Sequence, residues 1–169
     1  MEIIQDLHGN EAHQKIKEIL KHNKMAMMTS AIGQIPPSTS PMSTQRIDEN
    51  GHLWFLALKS SDHYKNIKKN SNVHLTYANN DQQEYLSILG EARIVVNAKD
   101  LIAEVWTKDD EEWFYSYKDH NLSLIQIEIR DAYYWDVEKD AAVDIIKAVT
   151  SAFTNTTEDH VKGHVDLDE

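Results

Sequence analysis

The sequence predicts a mainly β, α+β domain: six strands forming a small closed or split barrel, with helices at its ends. Three observations predict it. Several short stretches alternate apolar and polar residues with a period of two, the mark of half-buried strands. Asp48-Glu49-Asn50-Gly51 places an Asn-Gly turn between two of them. A single glycine, Gly90, interrupts a long one, as the bend of a closing barrel requires.

In chain order, residues 10–22 place Ile16, Ile19 and Leu20 at helical spacing behind an Asn10 cap, with Glu11 in the first turn. Met25 to Ala31 reads as a strand that Gly33 and Pro36-Pro37 end. The second strand, Thr39 to Ile47, leads into the Asn-Gly turn. Leu53 to Leu58 is apolar throughout but too short for a helix, so it is a buried strand. Ser60-Ser61-Asp62 are capping residues for a short helix reaching Asn70. Val73 to Ala78 alternates again, Asn79-Asn80-Asp81 turns the chain, and Tyr85 to Val96 is the long strand. Residues 98–107 and 109–117 read as helices, and Leu122 to Val137 as the last strand. Ala141 to Phe153 carries Val143, Ile146 and Val149 on one helical face. The polar, acidic segment 154–169 reads as a loosely held tail beyond a single domain, 1–153.

Composition narrows the function. A chain of 169 residues suits one domain. The net charge of −11 repels nucleic acid and anionic membranes. No apolar run approaches the ~20 residues of a membrane span, and the N-terminus lacks the pattern of a secretory signal. The chain has no cysteine, which removes disulfides and thiolate chemistry and fits a cytoplasmic protein. An anion can bind only where positive charge gathers. Lys59, Lys65, Lys68 and Lys69, with Arg46 on the strand before, are such a gathering, although a lysine run is equally a solvated helix face.

An ordered series of short motifs then stands out: Thr39-Ser40-Pro41-Met42, Leu53-Trp54-Phe55, Ser61-Asp62-His63, Val73 to Ala78, Tyr85 to Gly90, Val105-Trp106 and Tyr134-Trp135-Asp136. The series resembles the general stress protein branch of the pyridoxamine 5′-phosphate oxidase-like FMN-binding split β-barrels. The resemblance implies a homodimer with FMN at the subunit interface. It places the phosphate at the helix start, against Ser60, Ser61, His63 and Ser40, where N–H groups and the helix dipole favour an anion. It lays the ring along Trp54, Phe55 and Leu56, with Met42 and Ser43 beside it and Trp113 as a cover. Ser40 and His63 stand where the family has an arginine and a lysine, which leaves Arg46, Lys59 or Lys65 to compensate. The flavin would supply the electron transfer, with a reduced nicotinamide as donor, and no side chain need be catalytic. With three arginines and an acidic tail the chain does not resemble the pyridoxamine phosphate oxidase itself. A non-catalytic dimeric stress protein that has lost its flavin is the alternative.

Other constellations read more plainly. His160 and His164 are four apart, but Gly163 between them argues against a helical metal site, and no metal is expected. Asp109 to Glu112 reads as a helix opening that complements the dipole and solubilises the surface. Trp106 and Trp113, seven apart, read first as core or dimer-contact residues on one helical face. Elbow, P-loop, dinucleotide and zinc-protease motifs are absent from the sequence.

Overall fold

A computed structural model describes residues 2–4, 7–136 and 160–166. The described chain runs β1 (Glu2–Ile4), β2 (Leu7–His8), α1 (Gly9–His22), β3 (Met25–Ser30), β4 (Ser38–Ile47) and β5 (Leu53–Leu58). It continues with α2 (Asp62–Ile67), β6 (Asn72–Asn79), β7 (Glu84–Val95), α3 (Lys99–Val105), a 3₁₀ turn (Lys108–Glu112), β8 (Leu122–Asp136) and β9 (His160–Asp166). Antiparallel pairing runs β5–β4–β3–β6–β7–β8 and returns from β8 to β5, which closes a six-stranded barrel. The six predicted strands are these six, within a residue or two at each end.

Alternation sorts their side chains. Met28, Leu53, Phe55, Leu75, Tyr77, Leu86 and Ile125 point inward and are fully buried. Inside, the Tyr77 phenol and the Thr44 hydroxyl share a hydrogen bond of 2.7 Å. Burial pushes the Tyr77 pKa well up despite that bond, so the phenol stays neutral. Helix α1 lays Ala12, Ile16, Ile19 and Leu20 onto this core. It starts at Gly9, one residue before the expected Asn10 cap.

The β4–β5 turn needs its glycine twice over. Gly51 has φ +82°, and a Cβ there would fall 2.2 Å from the His13 ring of α1. Asp48 organises the turn by accepting hydrogen bonds from the Asn50 and His52 amides, each at 2.9 Å, and from Trp54 Nε1 at 2.9 Å. Burial alone would raise the Asp48 carboxyl, but the bonds from Trp54 and His52 outweigh it and hold the pKa below the usual range. Gly90 lies at the register shift between β7 and β8, where a Cβ would meet Ile127 at 2.4 Å. The expected bend is a bulge.

Three features depart from the sequence reading. His160–Asp166, expected in a loosely held tail, form β9, antiparallel to the second half of β8, and β1 and β2 join β9 in parallel. The predicted helix 98–107 is real but short. The predicted helix 109–117 is only the 3₁₀ turn, because local side chains take over the backbone beyond it. Ser116 Oγ accepts from the Lys118 amide at 3.1 Å, and Asp119 Oδ1 from the Asn121 amide at 2.8 Å. Trp106 and Trp113 therefore do not share a helical face. The helix expected at 141–153 lies outside the described residues. Among those described, no helix is long and apolar enough to cross a membrane.

Candidate functional site

The outward residues of β4 and β5 build a groove on the barrel wall. Pro41, Ser43 and Gln45 of β4 share one face by strand parity, and Leu56 and Leu58 of β5 lie alongside. Met25 of β3 and Met42 add apolar surface. Trp113 and Phe114, carried by the loop after α3, form a second wall, and Ser61 and His63 close one end. Trp113 is 61% exposed, an unusual waste of apolar surface on a lone chain. The groove holds about 160 Å³ of free volume, below the roughly 300–1,000 Å³ of ordinary small-molecule sites.

The Trp113 wall is latched to the barrel. Asp110, only 3% exposed, accepts from Gln45 Nε2 at 2.9 Å and from the Thr107 amide and hydroxyl at 2.7 and 2.9 Å. The carboxylate read as a solubilising surface charge is thus a buried tie. It closes the 3₁₀ turn and fixes that turn to β4.

At the groove's end, Ser61 caps α2 by accepting from the Tyr64 amide. Its hydroxyl proton is committed to the Leu58 carbonyl at 2.6 Å. The contact of 3.1 Å between Ser61 Oγ and His63 Nε2 therefore requires Nε2–H as donor. That assignment leaves His63 Nδ1 to accept from the Ser40 hydroxyl at 3.3 Å. Burial lowers the His63 pKa below its usual 6.5, and nearby Asp62 offsets this only in part. His63 is accordingly neutral in the free protein at neutral pH.

The expected site residues thus divide. Met42, Ser43, Leu56, Ser61, His63 and Trp113 line the groove, and Ser40 reaches it through His63. Phe55 points into the barrel core. Trp54 points outward but is covered by Ile102 and Val105 of α3, with the Arg46 guanidinium 4.8 Å above its ring. Only the backbones of these two residues can serve a ligand. Ser60 accepts from Asn121 Nδ2 at 3.0 Å, on the side of the 119–121 loop.

None of the candidate compensating cations lines the groove. Arg46 pairs with Glu104, Lys59 donates to the His120 carbonyl at 2.6 Å, and Lys65 stands 3.9 Å from Asp62. Sequence reasoning missed Met25, Pro41, Gln45, Ala57, Leu58, Asp110 and Phe114. Parity from Ser43 points to Pro41 and Gln45, and Phe114 adjoins Trp113. The Thr107-x-x-Asp110 spacing is the local signal of a capping box that could have found Asp110, but its tie to Gln45, 65 residues away, leaves no local trace.

The groove fits one part of FMN better than the other. Its apolar floor and aromatic wall suit the flat ring, with Ser43 and Gln45 as polar partners. At the phosphate's expected end, the donors are hydroxyls and a neutral imidazole. Among the described residues no His, Asp and Glu cluster is arranged to hold a metal ion.

The six-stranded antiparallel barrel with a few helices is the fold of the FMN-binding split barrels. The chain belongs to the pyridoxamine 5′-phosphate oxidase-like family, whose profile matches residues 11–159. Similar solved structures include general stress protein 26 from Bacillus anthracis str. Sterne, at 22% identity and TM-score 0.62, covering 72% of this chain and 92% of that one. The general stress FMN/FAD binding protein of Xanthomonas citri gives 20% identity and TM-score 0.64, covering 80% and 96%. A pyridoxamine 5′-phosphate oxidase-related, FMN binding protein from Nostoc punctiforme PCC 73102 gives 13% and 0.55, covering 73% and 83%. No curated protein matches the sequence.

Proposed function

We propose that this chain is an FMN-binding flavoprotein of flavin-linked redox chemistry, distinct from pyridoxamine phosphate oxidase, with its site completed at the interface of a cytoplasmic homodimer. The observation that carries this reading is the half-built groove: an apolar floor on β4 and β5, an exposed Trp113 wall, and room for a second subunit to close it. The two similar structures described as flavin-binding share the fold and support the choice of ligand. Leu56, Leu58, Trp113 and Phe114 would keep water from the ring, and Ser43, Gln45 and the strand backbone would bond its polar edge. Bound flavin supplies the electron transfer, fed by a donor such as a reduced nicotinamide. The protein's part is burial and orientation.

The absence of lysine and arginine from the groove lining among the described residues favours a second reading, a dimeric stress protein of this family that binds no flavin. The visible absorption spectrum of purified protein, with and without added FMN, separates the two. A perturbed flavin spectrum that survives gel filtration supports the first. Flavin that elutes wholly free from the protein supports the second.

A further inference from the structure

Among the described residues, no lysine or arginine lines the groove, and its ionisable side chains are His63 and Asp110. Asp110 is a buried carboxylate already accepting three hydrogen bonds, so it adds negative potential and offers an anion nothing. His63 has its N–H turned to Ser61, and its unprotonated nitrogen accepts from Ser40. None of Arg46, Lys59 and Lys65 lines the groove: Arg46 pairs with Glu104, Lys59 donates to the His120 carbonyl and Lys65 lies 3.9 Å from the exposed Asp62, while the whole chain carries a net charge of −11. A dianion set here must break the Ser40–His63–Ser61 string and finds no charge partner among the described residues of its own chain, whereas an uncharged flat ring meets an apolar floor, an aromatic wall and the polar groups of Ser43 and Gln45.

We infer that the groove recognises the uncharged flavin ring, and that an unphosphorylated flavin, riboflavin, is held as tightly as FMN because the Ser40–His63–Ser61 end provides no cation for a phosphate. This rests on the flavin reading above. The same geometry places a new cation at Ser40 or His63 directly at the vacant charge position. Either substitution should therefore create a preference for FMN that the native chain lacks.

Flavin-fluorescence titration of the full-length protein with riboflavin and with FMN at pH 7.5 tests this, repeated with Ser40→Arg and His63→Lys. Native affinities should agree within about threefold, and added salt should not weaken FMN binding. Each variant that folds, as judged by circular dichroism, should raise the ratio of FMN to riboflavin affinity by about ten- to a hundredfold. Two variants are used because Ser40 lies in a paired strand and His63, half-buried, in the first turn of a short helix, so their risks to folding differ. Native FMN binding tighter than riboflavin by more than about threefold, and weakened by salt, would show a cation at the phosphate and overturn the inference. So would variants that leave the FMN-to-riboflavin ratio unchanged. Failure of both ligands to bind the native chain would instead overturn the flavin reading itself.

Discussion

His63 shows how one side chain can carry a pH response. It is surrounded by Ser40 on β4, Ser61 and Asp62 at the start of α2, and the groove that Asp110 also lines. Burial lowers its pKa in the folded state, with Asp62 a partial counterweight. The unfolded chain therefore binds more protons, so this contribution to stability is complete above about 6.5 and is lost as pH falls through the folded-state value. His63→Asn should flatten the fall of the urea midpoint between about pH 7 and 5. A phosphate beside His63 would favour the imidazolium, so FMN binding there would take up a proton. The ratio of FMN to riboflavin affinity should rise as pH falls below about 6.5, less the opposing second ionisation of the phosphate near pH 6. A ratio that stays constant in both native protein and His63→Ala means the phosphate does not lie at His63. The cap role of Ser61 was legible, because Ser-Ser-Asp before a short amphipathic run has a local cause. The tautomer of His63 was not, since it depends on Ser40, 23 residues away.

Among the elements, the loop that follows α3 and the β7–β8 bulge depend on single residues. Removing the Asp110 carboxylate leaves Gln45 and Thr107 without their acceptor and frees the Trp113 wall. Asp110→Ala should cost about 1–3 kcal/mol in urea unfolding, with a red-shifted, more quenchable tryptophan emission. A native-like midpoint and spectrum would mean the latch does not hold the wall. Gly90→Ala should cost about 1–3 kcal/mol, since its Cβ would lie 2.4 Å from Ile127 and 3.0 Å from the Glu128 carbonyl. A neutral result would show that β8 yields readily at the bulge. The six barrel strands could be read from the sequence because their alternation is local and their turns carry Asn, Asp and Gly. Strands β1, β2 and β9 could not. They are two to seven residues long, and β1 and β9 pair residues as far apart as Glu2 and His160. Such pairing leaves little trace in local composition.

At the scale of the molecule, the barrel interior is filled by its own side chains, so a ligand must lie outside it. The outer wall beside the groove carries Met25 and Met27, with Met27 47% exposed, and Trp113 stands clear of the surface. Apolar surface placed around a half-sized groove is what a second copy of the chain would cover. The architecture was readable in advance because composition, turns and motif order agreed. The site was readable only in part, because which face a strand residue takes depends on barrel closure. The bulge between Thr44 and Arg46 on β4, for example, shifts the register against Trp54. Sedimentation velocity of native protein with added FMN, followed at the protein band and at the visible flavin band, tests the dimeric flavin site directly. The expected result is a flavin boundary moving with a particle of about 39 kDa, twice the 19.5 kDa of one chain. Flavin left unsedimented, or a particle of 19.5 kDa carrying it alone, would contradict a flavin site built between two subunits.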